Sequence, residues 1–172
     1  NSSYTYPLSE SSNVYVKTSN FSVKVIPGEA NELTVNIYAN SNMPQLVIDD
    51  YFKAIVDGSS YRLSSEFPGR TWGKMEIKLP KGMDVLTFST TNAKCEISNM
   101  EANFINCSTA NGKVVISGCT AKEIEILTDN EKVVLDETSA RTANIRTSNS
   151  KISIDGCSLD NIDAKTSNAS IS

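Results

Sequence analysis

The chain has 172 residues, a formal net charge of −4 and no histidine. This length fits one domain with a sizeable core, and the acidic balance argues against a nucleic-acid-binding surface, which would be basic. Without histidine, Ser-His-Asp and Cys-His catalysis and histidine-ligated metals are excluded. We therefore expect a protein that is not an enzyme and holds no cofactor.

The first half of the chain predicts strands at irregular intervals. The stretch "VYVKTSNFSVKV" (14–25) alternates apolar and polar residues on both sides of Asn20, which is typical of strands. Further strands are predicted by the following segments: "ELTVNIYAN" (32–40), "SYRLSSE" (60–66) and "KMEIKLPKG" (74–82). Residues 1–85 are therefore expected to form irregular N-terminal coils.

The segment "MPQLVIDDYFKAIVDG" (43–58) allows two interpretations. Pro44 near its start and Gly58 after its end fit a short helix. The run Leu46-Val47-Ile48 fits a strand equally well. Either element would suit a cap over exposed strand edges at one end of the molecule.

The second half of the chain, residues 86–172, repeats itself every 19 residues. Threonine precedes each repeated asparagine by two positions, and lysine follows it by two positions in four of five repeats. We call residues at one position of successive repeats a column. The asparagine column is Asn92, Asn111, Asn130, Asn149 and Asn168, and the lysine column is Lys94, Lys113, Lys132 and Lys151.

Apolar columns lie two residues apart within each repeat, as in Cys95 and Ile97 or Val114 and Ile116. This alternation predicts two short strands in each repeat, with room for a third. One repeat cannot bury its apolar face alone, so the repeats must stack. The prediction is an all-β fold, a single-stranded right-handed parallel β-helix (a solenoid) with 19-residue coils. Residues 1–172 would form one domain.

The asparagine column is expected to lie at a corner between strands, since asparagine tolerates left-handed backbone geometry. Stacked amides would then form a hydrogen-bonded ladder. The last repeat is incomplete at Ser172. An open strand edge there predicts either further chain or self-association at the C-terminal end.

The four cysteines are interpreted as small buried core residues. The alternative is one disulfide between adjacent coils, joining Cys95 and Cys107. Cys119 and Cys157 lie two coils apart, about 9–10 Å by strand spacing, which exceeds the reach of a disulfide. The spacing C-x-x-C is absent, so no metal site is predicted.

Charged side chains offer two candidate sites. The aspartate pairs Asp49-Asp50 and Asp136/Asp155 could act on a glycoside if they faced each other across a cleft, but solvated strand faces are their usual place. The lysine column would place one positive charge on each coil, and such a row could bind an anionic polymer. The alternative is a solvated flank that keeps the protein in solution.

The repeated Thr-x-Asn phrase, preceded by Leu79-Pro80-Lys81-Gly82, resembles the putative-adhesin family of bacterial surface domains. The segments that show this resemblance are Thr90–Ala93, Thr109–Gly112, Thr147–Ser150 and Thr166–Ala169. Only Gly112 keeps the glycine that is typical after the asparagine. The resemblance implies a β-helical domain outside a bacterial membrane, often a lipoprotein or otherwise anchored, with no catalytic residues to transfer.

Three functions remain open on the sequence. The first is a non-enzymatic surface module that binds a glycan, a cell-wall polymer or a surface protein. The second is a scaffold whose coils associate end to end, and the third is a polysaccharide-active enzyme. The chain starts at Asn1 rather than Met, and no apolar run of about 18 residues is present. We therefore expect an extracytoplasmic location, after signal-peptide removal and with any membrane anchor outside this stretch; a shortened chain would begin in the same way.

Overall fold

The structure is a computed structural model that describes residues 1–9, 11–42 and 45–172. Sixteen strands are present in these ranges. They are β1 (Ser2–Pro7), β2 (Asn13–Thr18), β3 (Phe21–Pro27), β4 (Glu32–Asn40), β5 (Phe52–Asp57), β6 (Ser60–Ser65), β7 (Trp72–Leu79), β8 (Gly82–Thr90), β9 (Cys95–Ser98), β10 (Glu101–Thr109), β11 (Val114–Ser117), β12 (Thr120–Thr128), β13 (Val133–Asp136), β14 (Ser139–Thr147), β15 (Ile152–Asp155) and β16 (Ser158–Thr166).

The strands form two sheets that are rich in parallel pairs. Sheet A has the order β1-β4-β7-β3-β9-β11-β13-β15, and sheet B has the order β16-β14-β12-β10-β8-β2-β6-β5. From β8 onward the chain alternates between the sheets, with a nine-residue strand in sheet B and a four-residue strand in sheet A. The predicted all-β class is confirmed. The described residues contain two strands per repeat, and no third.

One hydrophobic core lies between the sheets, because every second residue of a strand faces inward. Sheet A contributes columns such as Cys95, Val114 and Val133, and sheet B contributes columns such as Leu86 and Ile105. At β16 this burial is lost: Ile162 is 50% exposed although its partner Ala143 is fully buried.

The first half of the chain departs from a purely parallel arrangement. The pairs β1–β4, β4–β7 and β5–β6 are antiparallel. Strands β4 to β7 form an excursion between β3 and β8, and β1 precedes β2 in the chain. Meanwhile β2 and β3 pair directly with β8 and β9, so Val14 lies opposite Leu86 and Val23 opposite Cys95. The parallel arrangement predicted for the solenoid therefore does not extend to these pairs of the first half.

Both interpretations of segment 43–58 need correction. Its first two residues lie outside the described ranges. The rest contains a 3₁₀ helix, Ile48–Asp50, followed by strand β5. The helix does not continue, because the next residues, Phe52–Asp57, are extended and pair with β6. The run 46–48 is not a strand either.

The left-handed corner also lies elsewhere than predicted. The residues with positive φ in the repeats form a different column, which comprises Asn99 (58°), Gly118 (64°), Glu137 (43°) and Gly156 (62°). This column follows the short strands of sheet A. The five repeated asparagines are not among the described residues with positive φ, so their corner does not need that geometry.

Candidate functional site

The outer face of sheet A carries the lysine column. Each of these lysines immediately precedes the strand of its repeat, and backbone hydrogen bonds hold neighbouring repeats in register, as from the Cys95 amide to the Lys113 carbonyl at 2.9 Å and from the Val114 amide to the Lys132 carbonyl at 3.1 Å. Neighbouring strands are about 4.7–4.9 Å apart. We call Lys94, Lys113, Lys132 and Lys151 the lysine stripe.

The strand register extends this row of side chains beyond the repeats. Val23 pairs with Cys95, so Ser22 lies beside Lys94, and Ser22 in turn pairs with Lys74 of β7. Lys74 pairs with Tyr38 of β4, and its Nζ lies 5.5 Å from the centre of the Tyr38 ring. The sequence analysis missed Lys74 and Tyr38, because they lie outside the repeats and only the sheet register brings them to this row.

The positive charge of the stripe is only partly compensated. Lys94 Nζ lies 3.1 Å from a carboxylate oxygen of Glu96. Among the described residues, no carboxylate forms an ion pair with Lys113, Lys132 or Lys151. Two like charges about 4–5 Å apart repel by about 1 kcal/mol in water, although flexible lysine side chains can separate further. An anionic ligand would remove this repulsion.

The asparagine column lies beside the stripe, two residues earlier in each repeat, and its side chains are hydrogen-bonded in series. Each Nδ2 donates to the Oδ1 of the asparagine one repeat earlier: Asn168 to Asn149 at 2.7 Å, Asn149 to Asn130 at 2.8 Å, Asn130 to Asn111 at 2.8 Å and Asn111 to Asn92 at 2.9 Å. The series does not end at the repeats, because Asn92 donates to Asn20 at 2.9 Å. We call these six residues the amide ladder.

The threonines that precede the ladder asparagines face inward. Thr90, Thr109, Thr128 and Thr147 are buried. Their hydroxyls donate to backbone carbonyls of the preceding repeat, as from Thr128 to Gly112 at 3.2 Å. The Thr-x-Asn phrase therefore holds the corner in two ways, with an inner hydroxyl and an outer amide.

Three cysteines are buried in the core, and Cys157 is half-buried. The Sγ atoms of Cys95 and Cys107 are in contact at 3.0 Å, across the space between the sheets. The hydrogen bond with Cys95, together with burial, raises the pKa of the Cys107 thiol. Burial likewise raises the pKa of Cys119. The described residues contain no group of three or more His, Cys, Asp or Glu side chains that could hold a metal ion.

The aspartates do not converge on one site. Asp49 accepts a hydrogen bond from the Tyr4 hydroxyl, which ties the 3₁₀ helix to β1. Asp50 lines an open depression of about 410 Å³ with Lys17, Lys53 and Glu66 among its other residues. Asp136 and Asp155 are paired on neighbouring strands β13 and β15, at the outer face of sheet A. Their geometry is that of a solvated strand face.

Comparison with known proteins gives one family and several distant structural likenesses. The family described as Toastrack DUF4097 matches residues 11–172. A crystal structure described as a putative cell adhesion protein from Clostridium sporogenes is 10% identical, with a TM-score of 0.47, over 96% of this chain and 99% of that chain. A putative adhesin from Parabacteroides distasonis is 9% identical, with a TM-score of 0.41, over 99% of this chain and 95% of that chain.

A further crystal structure from Parabacteroides distasonis, described as a putative lipid binding protein, is 11% identical with a TM-score of 0.28, over 99% of this chain and 95% of that chain. TM-scores this low carry no argument about ligand or activity. No protein with a curated description matches the chain. Within the described residues, no helix has the length and apolar character needed to cross a membrane.

Proposed function

The chain belongs to the toastrack DUF4097 family, and on that premise we propose that it is a non-enzymatic binding or adhesion module of a bacterial envelope. In this proposal it acts outside the cytoplasm, its ligand is an anionic glycan or cell-wall polymer, and the ligand lies along the outer face of sheet A. The long row of cationic side chains is the observation that carries the proposal.

A right-handed β-helix with coils of 19 residues is the form of the fold that we propose for residues 86–172. Two features support it. The register pairs each residue with its column neighbour, as in Val114 with Val133 and Ile105 with Ile124. Crossovers between parallel strands are right-handed in nearly all proteins.

The lysine stripe has the spacing that an extended polyanion requires. Its charges recur once per strand, about 4.7–4.9 Å apart, which is close to the length of one sugar residue in an extended polysaccharide. The overall charge of −4 makes a continuous cationic row unusual on this protein. A row of charges concentrates a polyanion and speeds its association, whereas a single lysine would do little.

The test compares two variants with equal charge. In one, the four stripe lysines are changed to serine. In the control, the serines replace four exposed lysines outside the stripe: Lys17, Lys53, Lys122 and Lys165. Each variant has a calculated net charge of −8, from −4 in the wild type less four lysines. Binding to polygalacturonate, hyaluronate, teichoic acid and neutral dextran is measured at low and high salt.

We expect the wild type and the control to bind one or more of the anionic polymers, with affinity that falls as salt rises, and the stripe variant to lose this binding. Equal binding by all three proteins would refute the stripe as a site. Strong binding to dextran would refute the anionic class of ligand. New reducing ends or unsaturated products in the same incubations would overturn the proposal that the protein is not an enzyme.

A second candidate function is a scaffold that associates through the edges of β15 and β16. The observation that favours it is exposed apolar surface: Ile162 is 50% exposed and Ile171 is 47% exposed. Both occupy columns that are buried one repeat earlier, at Ala143 and Ile152. Such edges can pair with another chain. Sizing over a wide concentration range tests this, and a monomer at every concentration would refute it.

A further inference from the structure

The single tryptophan of the chain lies on the outer face of sheet A at the end of the amide ladder. Trp72 is 61% exposed, although large aromatic side chains are usually mostly buried. It borders an open depression of about 440 Å³, which we call the Trp72 depression. The depression is lined by Asn20, Gly69, Arg70, Thr71, Trp72 and Asn92.

The sheet register places these residues together. Phe21 pairs with Gly73, so Asn20 and Trp72, which precede them, lie side by side. Gly73 allows the close approach of β4, because a Cβ there would lie 2.0 Å from the Tyr38 carbonyl oxygen. The backbone that carries Trp72 is therefore fixed on both sides, by β3 and by β4.

The loop that carries Arg70 is also held. Thr71 is buried at 2% exposure. Its hydroxyl donates to the Pro68 carbonyl at 2.8 Å, and Gly69 adopts a positive φ of 62°. This turn presents the Arg70 side chain to solvent beside Trp72. Among the described residues, Arg70 forms no ion pair.

The end of the amide ladder places the side-chain amide of Asn20, a hydrogen-bond donor, at the Trp72 depression. All five side-chain bonds of the ladder run in one direction, from Nδ2 to the Oδ1 of the earlier residue, and the last acceptor is Asn20. Within the described part of the chain, the Nδ2 of Asn20 has no partner. Hydrogen bonds in series polarise one another, so the donor at this end is strengthened.

The chemistry of the depression therefore has three components. It has one aromatic face, one guanidinium group and amide donors, and no acidic residue is among those that line it. A ligand that matches all three has an apolar face, a carboxylate and several oxygen acceptors. A sugar acid has these features, because its C–H groups can lie on an indole ring while its carboxylate accepts from arginine.

We propose that the Trp72 depression binds one uronic acid residue of an acidic polysaccharide. The indole of Trp72 supports the sugar ring, Arg70 binds the carboxylate, and the Asn20 amide donates to a hydroxyl or ring oxygen. The inference rests on the proposed function, since the rest of the polymer would continue along the neighbouring lysine stripe. Lys94 lies two residues beyond Asn92 and begins that path.

The first experiment uses the fluorescence of Trp72, which reports only on this site because the chain has no other tryptophan. Dimers and trimers of galacturonic acid are titrated into the wild-type protein, with galactose oligomers and inorganic phosphate as comparison ligands. We expect a saturable change with the acidic oligomers and at least tenfold weaker binding of the other two. No change with the acidic oligomers, or equal binding of galactose oligomers or phosphate, would overturn the inference.

Three variants locate the contacts, with binding measured by calorimetry where the tryptophan is lost. Arg70→Gln should weaken binding of the acidic oligomers by about 10- to 100-fold, as expected for a charge-assisted hydrogen bond, and leave galactose binding unchanged. Trp72→Ala should abolish binding while the denaturation midpoint stays near that of the wild type. Arg62→Gln, an exposed arginine outside the depression, is the matched control and should bind as the wild type does.

Comparing short acidic oligomers with the long polymer distinguishes this inference from the proposed function. The variant with four stripe lysines changed to serine should still bind the short acidic oligomers but lose the long polymer. Polymer binding that persists in Arg70→Gln and Trp72→Ala, while short oligomers fail to bind the wild type, would refute the Trp72 site and leave the stripe in place. The opposite result would refute the stripe instead: short oligomers bind the wild type, and the long polymer binds the stripe variant as strongly as it binds the wild type.

Discussion

Replacing Glu137 with glycine should stabilise the protein. Glu137 adopts a φ of 43°, and its column neighbours Gly118 and Gly156 have φ values of 64° and 62°. A residue with a Cβ loses about 1–2 kcal/mol in this left-handed region. Glycine loses about 0.5–1 kcal/mol more conformational freedom on folding than alanine. The difference predicts a net gain of about 0.5–1 kcal/mol for Glu137→Gly.

The hydrogen bond at this corner should survive the change, because it uses the backbone. The Glu137 amide donates to the Asp155 carbonyl at 2.9 Å. Glu137→Ala is the matched control, since alanine removes the carboxylate but keeps the Cβ that causes the strain. Asn99→Gly, at the first position of the column (φ 58°), should gain less, because asparagine tolerates this geometry better than glutamate does.

Thermal denaturation of the wild type and the three variants measures the effect. For a chain of this size, about 1 kcal/mol corresponds to a shift of about 2–4 °C in Tm. We expect the Tm of Glu137→Gly to be higher than the Tm of the wild type and of Glu137→Ala. If Glu137→Ala gains as much as Glu137→Gly, the side chain rather than the backbone is responsible, and the reasoning about the corner is refuted.

Three further predictions concern the amide ladder, the cysteine thiols and Tyr4 of the edge strand β1. Asn130→Ala removes two ladder hydrogen bonds and should cost about 1–2 kcal/mol of unfolding free energy by denaturation. Asn168→Ala removes one ladder bond and a longer bond to the Ser148 carbonyl at 3.4 Å, so it should cost less, and a larger loss at Asn168 than at Asn130 would contradict the ladder role. Alkylation of the native protein should modify Cys157 first, because the other thiols are buried, and a Cys157→Ser variant that keeps the fast phase would be evidence against this order. Burial and the hydrogen bond to Asp49 raise the pKa of Tyr4 to about 12, so the phenolate absorbance of Tyr4 should appear late in an alkaline titration. The unfolded chain loses this proton first, near pH 10, so stability should fall between about pH 10 and 12, and Tyr4→Phe should lessen the fall in a pH series of unfolding curves.

The residues of the lysine stripe and the asparagine column could be identified from the sequence alone. A repeat of fixed length assigns each residue to a column, and apolar residues recur in the same columns because each coil buries the same face. The alternation at Cys95 and Ile97 therefore indicated strands without any structure. The direction of the ladder hydrogen bonds and the ion pair of Lys94 required side-chain geometry.

Pairing between distant segments decided the rest. Asn20 precedes Asn92 by 72 residues, which is not a multiple of the repeat length, so periodicity could not join them. They meet because β2 and β3 pair with β8 and β9, while the chain between them forms strands β4 to β7, which include the antiparallel pairs β4–β7 and β5–β6. That excursion brings Trp72 to the end of the ladder.

The sequence by itself determined the repeats, the all-β class and which columns are buried, since these depend on local alternation and on a constant offset between neighbours. Only the tertiary structure decided where the left-handed corner lies, how the first half is paired and which residues border the Trp72 depression. The backbone geometry of a corner depends on how each coil stacks on the preceding coil. The hydrophobic pattern is the same whichever of the two polar corners has the positive φ, so the pattern cannot identify that corner.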